Sequence, residues 1–411
     1  ALTIDDARAF FAGLRLEGAA QKKTYALVGA AAAIAAAVGP LIGGFITTFL
    51  SWRVAFALEV VVIVIVLSGA GLIKDVAYTG SRRVDVVGSI LSVVGMGGLV
   101  LGILIWQEGG EAVGLFLAAG ALSLAGLAWW LRRQKRTGGA TLIDPDLFTS
   151  ALFRLGISGQ MLQQIALGGA MITLPIYLQM VLEYNALQAG LSMAPLSLSM
   201  FATAILAGRR AGGRRPADVI RIGYTLLLIG MVALVPIVPR ADAGWALAIP
   251  LMIAGIGLGL LVSQLNNYTL APIEEERVSE AAGVNSAAGS FGLSFGLAFA
   301  GAIMLATLSL TFTNMAMESV VLDPAEQQAV AEGLENDAEV MSNTDLELLL
   351  VDQPPDVQAE IIRINTEARP FALQVALLIP ILASALGLLV SFRMRRQPDP
   401  VSSGVEGMVL G

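Results

Sequence analysis

Ten runs of about twenty predominantly apolar residues recur along the chain, each the length a helix needs to cross a hydrocarbon core of about 30 Å. They fall at about 25–50, 54–73, 86–106, 112–131, 153–180, 187–207, 219–238, 245–270, 281–308 and 371–392. In hydrocarbon a backbone can satisfy its polar groups only within a helix or a closed barrel, and uninterrupted apolar runs of this length are helices. The expected fold is therefore an all-α integral membrane protein with about ten transmembrane helices. Composition agrees, with 56% hydrophobic residues against 14% charged and a mean hydropathy of +0.76. Cysteine and histidine are absent. That excludes a disulfide scaffold, a thiolate nucleophile and a histidine proton relay. With no acid pair inside a span either, a membrane enzyme is disfavoured, and no cofactor, metal or nucleic-acid partner is expected.

The charges fix an expected orientation. Lys74, Arg82 and Arg83, the 132–136 cluster, the 209–215 cluster, Arg277 and the 393–396 cluster fall on one side of ten alternating spans; Arg53, Arg240, Arg363 and Arg369 fall on the other. By the positive-inside rule the first side is cytoplasmic. Both termini are then cytoplasmic: residues 1–24 are a lead-in or the scar of a missing upstream region, and 397–411 are a tail. The acidic stretch 313–369 is an external loop. Asp323-Pro324 and Pro354-Pro355-Asp356 open helical patterns there, the second continuing through Val357, Ile361, Ile362 and Ile364. Two short amphipathic helices lying over the outer mouth are expected.

The first run is unusual in its small residues. Gly29, Ala32, Ala33, Ala36, Gly39, Pro40 and Gly43 recur three or four apart, so one face is nearly bare and a second helix can approach closely. Pro40 cannot donate to the carbonyl of Ala36 and should kink the helix. A packing helix with a kink accounts for this much.

Gly39-Pro40-x-x-Gly43-Gly44 followed by Trp52-Arg53 also resembles the antiporter motif of the fifth helix in proton-coupled drug exporters of the major facilitator superfamily. In those proteins the kinked helix seals the two halves together. Ala26 and Ala35 depart from the pattern, which has glycine at both. Further on, Asp85 with Gly88, Leu174-Pro175-Ile-Tyr177-Leu-Gln179, Ala189-Gly190, Pro195, the ladder Gly255, Gly257 and Gly259, and Gly283 with Asn285 are similar, in order, to the fourteen-spanner drug:proton antiporter branch (EmrB/QacA type). The likeness covers about residues 21–396.

That resemblance implies a major facilitator-type helical bundle. Residues 25–73 would be the last two helices of an N-terminal bundle, 74–136 a two-helix insert and 137–396 the six-helix C-terminal bundle, with the family's first four helices absent. It implies alternating access in the cell (inner) membrane, with proton entry driving export of an amphiphilic small molecule. Export of an endogenous metabolite or lipid, and a truncated remnant without transport, are the alternatives. Residues 1–411 alone are expected to insert without transporting. The turn Gly208 to Pro216 is either the counterpart of the family's cytoplasmic motif, without its usual Asp, or an ordinary basic loop.

Candidate functional residues follow from what is costly in a membrane. Glu59 is the one ionisable residue in its span, and an intramembrane carboxylate costs about 2.5 kcal/mol or more at the bilayer centre. It is the candidate proton-coupling group, or it snorkels to water. Gln160, Gln163 and Gln164 are spaced to share one face of the fifth span; Ser263, Gln264, Asn266 and Asn267 are spaced likewise in the eighth. Each set either lines a substrate cavity or bonds helices together at about 0.6 kcal/mol per contact. Gly292-x-x-x-Gly296 is read as packing.

Overall fold

The computed structural model describes residues 38–39, 41–69, 85–107, 110–209, 215–274, 277–324, 326–328, 330 and 343–398. These are almost wholly helical. We number the helices α1 (41–49), α2 (Trp52–Ser68), α3 (Val86–Gln107), α4 (Val113–Thr137), α5 (Ala151–Met180), α6 (Ala186–Arg209), α7 (Pro216–Ile237), α8 (Ala248–Leu270), α9 (Val278–Met317), α10 (Asn343–Leu349), α11 (Pro355–Ala376) and α12 (Leu378–Arg395). Among the described residues, eight helical stretches are long and apolar enough to cross a membrane, and they coincide with the third to tenth expected spans. The second is a 17-residue helix, α2, capped by the Ser51 hydroxyl. Most of the first, including Pro40 and its expected kink, lies outside the described residues.

Six helices form the main bundle. α5 packs along α9 and α12, α8 fills the space between α6 and α7, and α7 closes onto α12. Tyr224 of α7 ties three of them: its ring is buried against Gly387 of α12, and its hydroxyl donates to the Gly159 carbonyl of α5. At Gly292 and Gly296 a Cβ would collide with the Met161 and Ile165 carbonyl oxygens, so α9 lies backbone against backbone on α5.

The remaining helices attach to this bundle unequally. α3 and α4 form a hairpin that docks through Ile103 on Ala298 and Ala302 of α9. Asp85 organises its base. The carboxylate caps α3 by accepting from Gly88 N–H (2.8 Å), and also accepts from Trp130 Nε1 (2.9 Å) and Leu142 N–H (3.0 Å). Among the described residues, α1 approaches α6 at Gly44 and Thr48. A Cβ on Gly44 would stand 2.5 Å from the Ala186 carbonyl oxygen, and the Thr48 hydroxyl accepts from Leu187 N–H at 3.1 Å. α2 buries no residue.

In the stretch 313–369 the helix expected after Asp323 does begin there, with Glu326 N–H donating to the Asp323 carboxylate at 2.8 Å and Asp323 N–H to that of Glu326 at 2.9 Å, but α9 reaches into the stretch and the second helix is not short. α9 runs 40 residues without a break, about 60 Å, roughly twice the hydrocarbon thickness. No proline occurs in it, so nothing interrupts its hydrogen-bond ladder. Its end packs against α11, where Leu308, Phe312 and Ala316 share a core with Val357, Ile361, Ile364 and Ala368. The helical pattern opened by Pro355 is thus real, but it spans 22 residues and leads into α12 across the single residue Leu377. α10 is short and is tied to the end of α5, where the Glu183 carboxylate accepts from Thr344.

Candidate functional site

The polar residues expected in the fifth and eighth spans only partly converge. Gln160 and Gln164 sit one turn apart on α5 and flank Gly289 of α9, where the missing side chain leaves them room. Gln163 is buried deeper, at 1% exposure. One turn before Gly289, Asn285 donates through Nδ2 to Asn266 Oδ1 of α8 at 2.7 Å. An amide-lined junction therefore lies where α5, α8 and α9 meet. Two acceptors in it, Gln164 Oε1 and Asn285 Oδ1, are buried without a hydrogen-bond partner among the described residues, as is Oε1 of the neighbouring Gln163 on α5. A buried, unsatisfied amide oxygen costs about 1–3 kcal/mol and calls for a donor from water or ligand.

The eighth-span set does not hold together as one face. Gln264 is buried and lies 3.5 Å from its neighbour Ser263, whereas Asn266 and Asn267 are both exposed. Only Asn266 joins the junction. Its partner Asn285 was visible in the sequence solely as part of the resemblance.

The first-half motif is spread out. Gly44 makes the close approach to α6; Gly39 and Gly43 have nothing within 4 Å of an added Cβ. Trp52 and Arg53 are exposed, with the Arg53 guanidinium 4.5 Å above the Trp52 ring. Glu59 is exposed on the unpacked α2, with no hydrogen-bond or ion partner among the described residues. The structure thus keeps Glu59 and the amide junction on separate parts of the chain.

Sequence reasoning missed an ion cluster at the base of the bundle. Asp144, in the connection between α4 and α5, lies 2.7 Å from Lys135 Nζ and 3.2 Å from the Arg277 guanidinium, and its backbone N–H donates to Glu280. Burial pushes the Asp144 carboxyl up, but the Lys135 hydrogen bond, the Asp146 N–H and Arg277 outweigh it and hold it below its ordinary value of 3.8. Its members come from three places in the sequence, so no local pattern announces them. Asp144-Pro145 alone had a signal, that of a cap before a helical turn.

Comparison with known proteins gives this architecture a family. The model of the Major Facilitator Superfamily matches residues 76–297, more than half of the chain. A protein of Streptomyces coelicolor named "Probable actinorhodin transporter" is 28% identical over 300 residues, 70% of this chain and 52% of the relative. "Putative multidrug resistance protein MdtD" of Yersinia pestis and of Yersinia pseudotuberculosis is 30% identical over 283 residues, 66% of this chain and 58% of the relative. The match therefore spans little more than half the length of these relatives. On the family match and the all-helical bundle together, the chain belongs to the Major Facilitator Superfamily.

Proposed function

We propose that the chain is part of a secondary transporter that exports amphiphilic small molecules by alternating access, driven by protons, as in the fourteen-spanner branch. The observation that carries this reading is the amide junction of α5, α8 and α9, with buried acceptors left open inside a bundle of the transporter superfamily. Acceptors without partners suit a substrate that donates hydrogen bonds from an otherwise apolar body. In this reading α1 and α2 belong to a first bundle that rocks against the six-helix one, with Gly44 and Thr48 at the seam. The α3–α4 hairpin is the two-helix insert. The basic ends of α4 and α12 face the cytoplasm of the cell (inner) membrane.

Glu59 is the proposed proton-coupling residue, since α2 is otherwise without charge from Val54 to Ser68. The test is extrusion of a fluorescent lipophilic cation, under an imposed pH gradient, by a form that carries both bundles. Glu59→Gln is expected to abolish gradient-driven export while Glu59→Asp keeps part of it. Normal export by Glu59→Gln would remove Glu59 from the mechanism. Gln164→Leu should raise the concentration of substrate needed for half-maximal rate and leave the gradient dependence intact.

The relatives' names favour keeping a second reading. One is named for a single compound and the others for multidrug resistance. A transporter of one product and a transporter of many drugs differ in a competition assay. Mutual inhibition among chemically unrelated substrates supports the broad reading, and its absence the narrow one.

A further inference from the structure

The end of α12 carries three arginines, which find different surroundings. Arg395 turns toward α7, where its Nε stands 3.2 Å from an Asp218 carboxylate oxygen. Arg393 and Arg396 make no ion pair with any of the described residues. They line one end of a groove of about 570 Å³ between α5 and α12. The rest of the wall is apolar, formed chiefly by Met161, Leu386, Leu389 and Phe392. The hydroxyl of Ser158, at the arginine end, is spent within its own helix on the Arg154 carbonyl.

Position and length say what fits. Leu386, Leu389 and Phe392 are exposed on the outside of the bundle, so the groove opens sideways into the membrane. From Leu386 to Arg396 is ten residues, a rise of about 15 Å, half of a hydrocarbon core of about 30 Å. With the guanidiniums at headgroup level, the apolar part reaches the bilayer midplane. We propose that this groove binds one anionic phospholipid, an acyl chain lying between α5 and α12 and the phosphate held by Arg393 and Arg396. Guanidinium forks match phosphate oxygens in geometry, and basic pockets between spanning helices suit anionic headgroups. Two cations without a carboxylate beside them among the described residues favour a net negative headgroup over a zwitterionic one. The site is independent of the amide junction and of whatever the chain transports.

The experiment places a reporter in the groove. The chain with Phe392→Trp is purified into phosphatidylcholine vesicles containing a minor fraction of either brominated phosphatidylglycerol or brominated phosphatidylcholine. The quenching of the unaltered chain, which keeps its native tryptophans, is subtracted. Brominated phosphatidylglycerol is expected to quench at concentrations about tenfold lower than brominated phosphatidylcholine. Arg393→Gln with Arg396→Gln should erase that preference, while Arg395→Gln keeps it and excess inorganic phosphate does not compete. Equal quenching by the two lipids, a preference that survives the double substitution or falls equally with Arg395→Gln, or displacement by inorganic phosphate would each overturn the proposal. A second measurement needs no variant. The unaltered chain, released from vesicles of equal phosphatidylglycerol and phosphatidylcholine into a mass spectrometer, should retain phosphatidylglycerol; equal retention of both overturns the site.

Discussion

α2 and α5 are both apolar helices of spanning character, yet α2 buries none of its residues while α5 buries twelve, among them Phe153, Gln163, Leu174 and Tyr177. The difference is not hydrophobicity. In a bilayer, lipid tails are as apolar as leucine, so a valine-rich face gains nothing by leaving lipid for protein. What separates the two is the supply of small and polar residues. α5 carries Gly156, Gly159, Gly168 and Gly169, through which backbones approach, and Tyr177, whose hydroxyl donates to the Val238 carbonyl beyond α7. From Trp52 to Ser68, α2 has no glycine and only Glu59 as a polar group in its middle. α1 stands between them, with Gly44 and Thr48 making close contact to α6. Inside a membrane, then, glycine and amide positions mark where a helix meets protein, and apolar positions mark only that it is in the membrane.

The largest effect that follows is at Gly296. A leucine there must push α9 off α5, because the obstruction is the Ile165 backbone and not a side chain that can swing away. The expected cost is about 3 kcal/mol, read as loss of the monodisperse peak in detergent. Gly44→Leu should leave the bundle's melting temperature unchanged and only detach α1. Because the chain has no cysteine, Thr48→Cys with Leu187→Cys gives a clean readout: the pair should cross-link with Gly44 present and fail to do so with Gly44→Leu. If Gly44→Leu unfolded the whole bundle, the contrast between the two regions would collapse.

Asp85 sharpens the comparison at an intermediate level. Its carboxylate is 6% exposed and takes three N–H donors, from Gly88, Trp130 and Leu142. Asp85→Ala strands all three, at an expected cost of about 2–3 kcal/mol. The loss should appear as faster amide exchange at Leu142 and altered Trp130 fluorescence, with exchange in α5 and α8 unchanged. Exchange that rose equally in α5 would mean that the hairpin and the six-helix bundle unfold as one unit.

These contrasts also explain what could be read from the sequence. Spans were legible because crossing a membrane demands only length and hydropathy, which are local. The reach of α9 was not, since hydropathy marks where lipid ends and says nothing of where a helix ends; Thr311 and Asn314 look like loop residues but lie in the last turns of α9, which packs on α11. Gln160 and Gln164 were legible as a helical pair. That Asn266, and not Asn267, bonds to α9 depends on a helix rotation that the polar pairs on either side of Leu265 leave open. The groups around Asp144 come from positions 135, 144, 277 and 280, brought together only by the docking of the hairpin connection on α9.

That cluster yields the smallest effect and the one most exposed to solution conditions. Asp144 is held below 3.8 in the folded protein by Lys135, Asp146 N–H and Arg277 against the opposing pull of burial. A carboxyl whose folded pKa is depressed contributes stability that is fully present above its unfolded value and fades as pH falls through the folded one. The contribution should therefore be constant from pH 7 down to about 5 and decline below 3.8. Asp144→Asn, neutral throughout, should lose it at every pH. The gap in melting temperature between the two proteins is then flat near neutrality and narrows in acid. Because the Lys135 side chain is 43% exposed, solvent and salt screen the pair, and the gap should correspond to about 1 kcal/mol or less and shrink further in high salt. A gap that widened as pH fell would mean that Asp144 is held by burial and not by its cations, and the base of the bundle would then depend on packing alone, as the junction of α5 with α9 does.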